Sequence, residues 1–418
     1  MTESLSIALP TSTFLPGLGG AEVGLHNIAL RLVERGHRPV VIVPAPHAAQ
    51  LKRDDWQLPY PVVAFPPKVW GLLHRFPGVG FAVLDSFFEF LHRRHRFDFW
   101  HCTMGWPTGV ALVHYARTRR PVPHLVRCAG EDIQRDASIG YGARLDPKVD
   151  ALVRRWLVQA DRLVAITATV AQEYQALGVP PERVAEVPNG VDLSRFAAGP
   201  ERAATRAALG IAQDDFVFLS VGRNHPKKNF AAVLNAAARL KAQGRKNFRL
   251  IFAGLGTPGL APLAAQLGLT ENAVFLDQIG GALGSLPLKL PDDQLVGLYR
   301  AADCFVFPSI METFGIVLVE AMAASLPIVT ADAPGCRDIV RGGRDGLLTP
   351  PSDADALAAA MGRIMDEPGL AADLSQRSAL RARDFSWDDV VSRYEGLYHQ
   401  GIAARKGNET LTFAPEKP

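Results

Sequence analysis

Short apolar runs alternate with longer stretches of helical periodicity along most of the chain. Leu5–Leu9 and Val40–Val43 have the length of buried strands, and each is followed by a proline. The second half repeats the pattern, with Phe216–Val221 and Cys304–Phe307 as its clearest runs. Strands that alternate with helices are typical of parallel sheets covered by helices on both faces. The pattern therefore predicts an α/β protein with doubly wound parallel sheets.

Composition narrows the class of protein. A chain of 418 residues is too long for one compact core, so two domains are expected. A net charge of +3 gives no reason to expect a nucleic-acid partner. The four cysteines form no C-x-x-C pair, as expected for buried thiols of a cytosolic protein. Because no apolar run reaches membrane-spanning length and no signal-peptide pattern is present, we expect a cytoplasmic protein that either stays in solution or touches the inner membrane surface.

The stretch 303–327 combines a strand, a tight corner and an apolar helix. The start of such a helix presents unpaired N–H groups and the positive end of the helix dipole, which suit a phosphate. Glu312 lies on the corner and Glu320 lies inside the apolar helix. A buried carboxylate needs a partner, and a pair of sugar hydroxyls is one. The alternative is that Glu320 belongs to a local network and Glu312 is a solvated loop acid.

The spacing Glu312-x7-Glu320, preceded by Pro308-Ser309, resembles the signature of the glycosyltransferase family 4 type. Such proteins are retaining, nucleotide-sugar-dependent enzymes of the GT-B fold, in which two Rossmann-like domains face each other across a cleft. The resemblance implies that Glu312 contacts the donor sugar and that Glu320 holds the ribose of the nucleotide. It also implies that backbone amides contact the diphosphate and sugar, namely those of Phe314, Gly315 and Ile316.

A cluster of cations follows the first predicted strand of the second half. Arg223 and Lys228 suit a diphosphate, because they neutralise its charge and stabilise the leaving group as the glycosidic bond breaks. A resemblance to the family's GR…KKN element favours this role over a solvated charge run. Lys227 is expected to point elsewhere, since adjacent residues do not share a face. Together with Glu312, Arg223 and Lys228 are the predicted catalytic residues.

A glycine-rich loop follows the first strand of the chain. Gly19 and Gly20 lack side chains, so their amides can approach a phosphate closely. The spacing is not G-x-G-x-x-G, and no acid follows the second strand, so a dinucleotide-binding site is poorly supported. Residues 19–44 resemble the family's N-terminal unit, which implies that the loop faces the donor diphosphate. A simple turn is the alternative.

The segment after the predicted strand His124–Cys128 departs from the family pattern. Many relatives carry His-Gly-x-Asp there, and their His contacts the donor sugar. Ala129 occupies the His position in this chain, so Glu131 and Asp132 become the candidate polar groups over the acceptor. The alternative is that Glu131 and Asp132 begin the next helix.

Three further segments carry predictions of their own. Pro59–Gly80 is rich in proline and glycine and is expected to be irregular. Val83–Phe97 has an apolar face and a basic end, which suit either a core helix or a contact with an anionic membrane. The family holds its nucleobase near Ile279, which is therefore the predicted base contact. The loop 280–290 is longer than the family's usual loop, and we assign it no role.

The resemblance implies a layout of domains. Residues 1–195 form an acceptor-side domain, and residues 196–386 form the domain that binds the nucleotide sugar. A terminal helix, residues 387–405, packs back on the first domain, and residues 406–418 form a flexible tail.

The predicted function is transfer of a sugar, with retention, from a UDP- or GDP-sugar to a saccharide or lipid-linked acceptor, as in synthesis of cell-envelope glycans or glycolipids. No Asp-x-Asp pair or His cluster is convincingly placed for a metal, and no cofactor is expected. No carboxylate is placed by sequence to act as a nucleophile, which favours a front-face route in which a leaving phosphate oxygen helps to take the acceptor proton. The alternatives are a GT-B epimerase, hydrolase or phosphorylase, and a sugar-nucleotide-binding protein that has lost catalysis.

Overall fold

The computed structural model describes residues 4–277 and 290–407, with only the backbone described for residues 406 and 407. The predicted base contact Ile279 lies outside the described residues, as do residues 280–289 and 408–418. Within the described chain, residues up to Asn189 and from Trp387 onward form one compact unit, and Gly190–Ser386 form a second. Each unit contains its own parallel sheet.

The first unit has a sheet of seven strands within its described residues. The strands are β1 (Ser6–Pro10), β2 (Arg38–Val43), β3 (Val62–Ala64), β4 (Phe99–Thr103), β5 (His124–Arg127), β6 (Arg162–Ala165) and β7 (Val184–Glu186). The helices that alternate with them are α1 (Gly20–Glu34), α2 (Ala45–Arg53), α3 (Val69–Arg75), α4 (Pro77–His95), α5 (Val110–Thr118), α6 (Pro147–Trp156) and α7 (Ala168–Ala176). The strands lie in the order β3-β2-β1-β4-β5-β6-β7, so the order reverses between β1 and β4.

The second unit repeats this arrangement with six strands in its described part. Its strands are β8 (Phe216–Val221), β9 (Phe248–Ala253), β10 (Ala273–Leu276), β11 (Cys304–Phe307), β12 (Ile328–Ala331) and β13 (Leu347–Thr349). Its helices are α8 (Leu193–Ala197), α9 (Arg202–Ala208), α10 (Phe230–Ala242), α11 (Ala261–Gln266), α12 (Asp293–Ala301), α13 (Ile316–Ala323), α14 (Cys336–Ile339), α15 (Ala354–Asp366) and α16 (Pro368–Ala382). The strand order β10-β9-β8-β11-β12-β13 reverses between β8 and β11.

The apolar runs form the strands that the sequence predicts. Strands β8 and β11 have the same bounds as the predicted runs Phe216–Val221 and Cys304–Phe307. Every residue of β1 and β11 is buried, which means that both faces of each strand are covered. The prediction of doubly wound parallel sheets is confirmed.

The prediction that Pro59–Gly80 is irregular is wrong. The segment contains β3, α3 and the first turn of α4. Pro77 stands in the first turn of α4, where the missing N–H group would have no helical partner anyway. The ring of Phe65 packs against that of Trp70 with centroids 4.7 Å apart, so apolar contacts hold the segment on the unit. Proline here begins a helix instead of preventing one.

Helix α4 has one side in the core. Leu84, Phe88 and Leu91 are buried, which confirms the interpretation of a core helix for that side. The outer side carries two exposed apolar residues, Val79 and Phe90, and 58% of Phe90 is exposed. Packing in the core does not account for these two exposed apolar side chains.

The last described helix, α17 (Trp387–Gly407), belongs to the first unit. Glu395 accepts hydrogen bonds from Arg35 at the end of α1 and, at 2.8 Å, pairs with Nε2 of His37. Nδ1 of His101 on β4 lies 2.7 Å from the hydroxyl of Tyr398. The first unit is therefore completed by residues that come last in the chain.

Candidate functional site

Two predicted site segments lie at the strand reversal of the second sheet. Gly222–Phe230 follows β8, and Pro308–Gly315 joins β11 to α13. In doubly wound sheets, ligands bind at the carboxyl ends of the strands that flank such a reversal. The fold therefore gathers the predicted cations and the first predicted carboxylate at one edge of the sheet.

Lys228 and Glu312 form an ion pair at this edge. The distance between Nζ of Lys228 and Oε1 of Glu312 is 2.5 Å, and the hydroxyl of Ser309 donates to the same oxygen at 2.7 Å. Nζ of Lys228 also lies 4.8 Å from the ring centroid of Phe307, a cation–π contact. Only 6% of Glu312 is exposed. Glu312 is thus a buried, paired acid, and the alternative of a solvated loop acid is wrong.

The environment of Glu312 keeps its carboxylate ionised. Burial on its own would raise the pKa of Glu312. The charges of Lys228 and Lys227, with the hydrogen bonds from Lys228 and Ser309, outweigh burial, so the pKa lies below its ordinary value. The corner therefore holds a fixed negative charge beside a fixed positive charge.

Three loops are tied together around this pair. The backbone carbonyl of Lys227 accepts from Ile310 N at 2.8 Å and lies 2.9 Å from Oγ of Ser309. On the other side, Glu312 N donates to Pro334 O at 3.0 Å. A Cβ on Gly335 would lie 2.3 Å from Glu312 O, so only glycine fits there. The loops after β8, β11 and β12 together fix the position of Glu312.

The start of α13 offers unpaired donors. Gly315 has φ +76° and its carbonyl accepts from Leu318 N at 2.9 Å. Among the described residues, no group accepts a hydrogen bond from the backbone N–H groups of residues 314–317. Phe314 itself is buried, with its ring centroid 5.9 Å from that of Phe385. Its side chain is structural, and the backbone N–H groups of Phe314, Gly315 and Ile316 face no protein acceptor in the described chain.

Glu320 is also buried, with a single partner. Its Oε2 accepts from the hydroxyl of Tyr299 at 2.8 Å, and 6% of the residue is exposed. Burial raises the pKa of Glu320 to about 7, and the bond from Tyr299 offsets part of that effect. The local network of the alternative interpretation thus exists. It uses one carboxylate oxygen, and Oε1 has no hydrogen-bond donor among the described residues.

Arg223 stands apart from this cluster. Its side chain is exposed and makes no ion pair or hydrogen bond within the described chain. Burial lowers the pKa of His225, and the charges of Lys227, Arg223 and Lys228 lower it further, so these cations are electrostatically close. A Cβ on Gly254 would lie 2.3 Å from Gly222 O, which shows how tightly the backbone before Arg223 is packed.

In the first unit, Gly19 caps α1 next to an acid. Glu22 accepts a hydrogen bond from the hydroxyl of Thr13, and a Cβ on Gly19 would lie 2.5 Å from Oε2 of Glu22. A side chain at position 19 would therefore have to displace the half-buried carboxylate of Glu22. Gly20 is the first residue of α1, and the residues before it form the loop after β1. This loop also lies at a strand reversal, between β1 and β4.

Asp132, one of the two predicted acceptor-side acids, is hydrogen-bonded to the backbone of two loops. It is fully buried, and its carboxylate accepts from the backbone N–H groups of Gly105 at 2.5 Å and Gly130 at 2.7 Å. Burial raises its pKa, and these backbone bonds offset part of the effect. Glu131 is exposed, and the next α-helix begins only at Pro147, so the alternative that both acids start a helix is wrong. Asp132 holds two loops together.

The structure adds a buried arginine that the sequence did not single out. Arg127 at the end of β5 is fully buried and donates through Nη2 to Asn189 Oδ1. Its Nε and Nη1 have no hydrogen-bond partner among the described residues. Burial lowers the pKa of His101, and the charge of Arg127 lowers it further. A charge inside the strand run His124–Cys128 is the signal that points to this site.

The described residues contain no group of three or more His, Cys, Asp or Glu side chains arranged to hold a metal ion. None of the helices in residues 4–277 and 290–407 has the length and apolar character needed to cross a membrane.

Family comparisons match both units. The model described as Glycosyltransferase Family 4 matches residues 18–195, and the model described as Glycosyl transferases group 1 matches residues 201–381. The D-inositol 3-phosphate glycosyltransferase of Nocardia farcinica is 32% identical over 335 residues, which cover 77% of this chain and 68% of that protein. The enzyme of the same name from Acidothermus cellulolyticus is 34% identical over 73% of this chain. The chain covers 65% of that protein, just under two thirds of its length.

Solved structures share the fold at low sequence identity. Sucrose-phosphate synthase from Thermosynechococcus elongatus superposes with a TM-score of 0.73 at 20% identity, covering 96% of this chain and 100% of that one. A glycosyltransferase from Rickettsia africae gives 0.76 at 15% identity, covering 96% and 99%. Anabaena HepE, solved in complex with UDP and glucose, gives 0.71 at 20% identity, covering 97% and 100%. With its two doubly wound sheets, the chain has the GT-B fold and belongs to glycosyltransferase family 4.

Proposed function

We propose that the chain transfers a sugar from a nucleoside diphosphate donor to an acceptor hydroxyl, and that the second unit binds the donor. The observation that carries this proposal is the ion pair of half-buried Lys228 with buried Glu312, beside the unpaired N–H groups at the start of α13. A cation and a row of backbone donors at one sheet edge match the two charges of a diphosphate. In this proposal Glu320 Oε1 receives the ribose hydroxyls.

A UDP-sugar is the donor that we favour over a GDP-sugar. HepE, which shares the fold, has been solved with UDP-glucose and with UDP and glucose. The curated relatives are named for transfer to D-inositol 3-phosphate. We keep a saccharide or lipid-linked hydroxyl as the proposed acceptor class, with inositol phosphate as one compound to test.

The proposed mechanism places the leaving-group charge on the protein. When the glycosidic bond breaks, the diphosphate oxygen gains negative charge, which Lys228, Arg223 and the N–H groups of α13 stabilise. No metal is needed for this step in the proposal. Glu312 contacts the sugar, and the paired Lys228 fixes its orientation. The acceptor attacks from the face that the diphosphate leaves, a leaving phosphate oxygen takes its proton, and configuration is retained.

Two substitutions test the assignment of the carboxylates. We expect Glu320→Ala to weaken binding of UDP by about tenfold or more, because a charge-assisted hydrogen bond to the ribose is lost. Glu312→Ala should leave the affinity for UDP within a few-fold of wild type and slow transfer. Glu182→Ala, an exposed acid in the first unit, is the control. Wild-type turnover and wild-type UDP affinity in both site variants would contradict the proposal.

Product analysis separates the rival functions. With a UDP-sugar and an acceptor, a transferase forms a glycoside, whereas a hydrolase or epimerase releases free sugar without an acceptor. A binding protein that has lost catalysis retains UDP affinity and forms neither product. The anomer of the glycoside, read by nuclear magnetic resonance, tests retention directly.

We also propose that α4 touches an anionic membrane surface, as a lipid-linked acceptor would require. Val79 and Phe90 are eleven residues apart, about three helical turns, so they lie on the same side. Both are exposed, and the exposed Arg94 and Arg96 follow at the basic end of the helix.

Co-sedimentation tests this contact. Phe90→Ser should reduce binding to vesicles that contain phosphatidylglycerol. Leu255→Ser removes an apolar side chain of similar exposure from the second unit and is the control. Equal binding by both variants would exclude α4 as the contact.

A further inference from the structure

A cavity lined mainly by arginine lies in the second unit, outside the proposed donor site. Its volume is about 420 Å³, within the range of roughly 300–1,000 Å³ that is usual for small-molecule sites. It lies between the turn before β13 and the end of α16. None of its lining residues takes part in the Lys228–Glu312 cluster. The lining residues are Arg341, Arg344, Arg377, Leu380, Arg381 and Asp384.

The turn that carries two of these arginines is rigidly held. Asp345 is completely buried and accepts from Arg341 N at 2.6 Å and from Arg341 Nε at 2.6 Å. Gly343 N donates to Gly346 O at 2.9 Å, which closes the turn. The backbone that presents Arg341 and Arg344 is therefore fixed before any ligand arrives.

The aspartates that pair with Arg341 and Arg377 leave the terminal nitrogens of both guanidinium groups available as hydrogen-bond donors. Asp345 binds Arg341 through Nε, and Asp373 binds Arg377 through Nε at 2.9 Å. The terminal nitrogens of Arg341 and Arg377 have no acceptor among the described residues. Arg344 makes no side-chain hydrogen bond or ion pair in the described part of the chain. The acids thus position guanidinium groups whose outer nitrogens remain unpaired.

Two further lining residues, Leu380 and Arg381, indicate which kind of ligand would fit the cavity. Nε of Arg381 is buried without an acceptor among the described residues, although its Nη1 donates to Asp384 at 2.7 Å. Leu380 is 53% exposed and supplies an apolar wall. Guanidinium groups bind phosphate oxygens in pairs of parallel hydrogen bonds, and an apolar wall suits the organic part of a phosphate ester.

We infer that this cavity is a second binding site, for a phosphate-bearing ligand, in addition to the proposed donor site. The ligand is either a soluble phosphate ester or the headgroup of an anionic phospholipid, since both present the same phosphate oxygens. Arg344 and the terminal nitrogens of Arg341 and Arg377 make the main contacts.

Calorimetric titration with inorganic pyrophosphate tests the site. The double variant Arg344→Ala/Arg377→Ala should lose about tenfold or more in affinity for the second pyrophosphate, since two charge-assisted contacts disappear. The same loss is expected in a Lys228→Ala background, which weakens the donor site and leaves the arginine cavity intact. Arg183→Ala/Arg363→Ala removes two exposed arginines elsewhere and is the control.

A second measurement distinguishes the two sources of phosphate. Phosphatidylcholine vesicles, with and without phosphatidylglycerol, are sedimented with each double variant. If Arg344→Ala/Arg377→Ala lowers both pyrophosphate and vesicle binding relative to the control, the ligand is a lipid headgroup. If only pyrophosphate binding falls, it is a soluble ester. Pyrophosphate affinities equal to those of the control variant, with an unchanged melting temperature, would overturn the inference.

Discussion

At the scale of single residues, the partner of each buried carboxyl group decides its charge. Glu312 is paired with Lys228, and its pKa lies below the ordinary value. Glu320 is equally buried but has only the neutral hydroxyl of Tyr299 as a partner, so burial raises its pKa to about 7. The same residue type in the same segment therefore carries a permanent charge at one position and a titratable charge at the other.

Glu320 predicts a pH dependence of stability. Below its unfolded pKa of about 4.5, Glu320 is protonated in both states. Between about 4.5 and about 7 only the folded state keeps the proton, so the free energy of unfolding falls as pH rises. The loss is on the order of 3 kcal/mol and is complete above pH 7.

Urea denaturation at a series of pH values measures this effect. Glu320→Gln should remove that part of the decline, and Glu182→Gln, an exposed acid, should not. An identical decline in wild type and Glu320→Gln would contradict the raised pKa.

The two fully buried arginines predict opposite outcomes. Arg206 pairs with Asp303 at 2.6 Å and donates to backbone carbonyls, whereas Arg127 has only Asn189 within the described residues. We expect Arg206→Met to lower the free energy of unfolding by about 3–5 kcal/mol, because several backbone carbonyls lose a buried, charged donor and Asp303 keeps only Arg202 as an ion-pair partner among the described residues. Arg127→Met should leave it unchanged or raise it. Equal losses in urea denaturation would show that Arg127 is as well satisfied as Arg206.

At the scale of elements, three loops from three strands fix the corner at Glu312. The loop after β8 supplies Lys227 O and Lys228, and the loop after β12 supplies Pro334 O and Gly335. None of these contacts is local in sequence. The corner is therefore an assembled structure that exists only when the sheet has formed.

Gly335→Ala tests that assembly against a matched glycine. Gly335 has φ +78° and a Cβ there would lie 2.3 Å from Glu312 O, whereas Gly343 has φ +71° and open space around it. Gly343→Ala should cost only the backbone strain of about 1–2 kcal/mol. Gly335→Ala should lose more stability and also slow sugar transfer, because the Cβ displaces Glu312. Equal transfer rates in the two variants, measured with a UDP-sugar and an acceptor, would show that the Glu312 corner does not depend on Gly335.

The elements themselves could be predicted from sequence, whereas most of the contacts could not. Strands β8 and β11 follow from the local apolar runs Phe216–Val221 and Cys304–Phe307. The pairing of Lys228 with Glu312, and of Tyr299 with Glu320, follows from contacts between separate elements. Pro59–Gly80 misled the prediction because proline at a helix start and proline in a loop look alike in sequence.

At the scale of the whole molecule, each unit repeats one strand order around one reversal. In the proposal, the residues that bind the nucleotide sugar all come from the second unit. Binding of UDP should therefore raise the free energy of unfolding of that unit, which can be measured on the intact chain. UDP at about a hundred times its dissociation constant adds about 2.7 kcal/mol to the unit that binds it.

The melting temperature of the intact chain, with and without UDP, measures this stabilisation. For a unit of this size, we expect UDP to raise the melting temperature by about 5–10 °C. Because the proposal uses no metal, the shift should be the same with and without a chelator. The Glu320→Ala variant at the same UDP concentration should shift less. Loss of the shift on adding the chelator would contradict metal-independent binding.

Helix α17 sets an order of events during synthesis. The ribosome releases the seven strands of the first sheet early, yet the partners of Arg35 and His101 are made only after all of Gly190–Ser386. At typical translation speeds of about 5–20 residues per second, that delay is roughly 10–40 s. During this delay the surface of β4 and α1 that α17 later covers, including the ring of Phe99, has no partner, and the second unit is still being synthesised. The part of the protein that is translated first is thus the part that matures last, and chaperones have their longest opportunity to bind there.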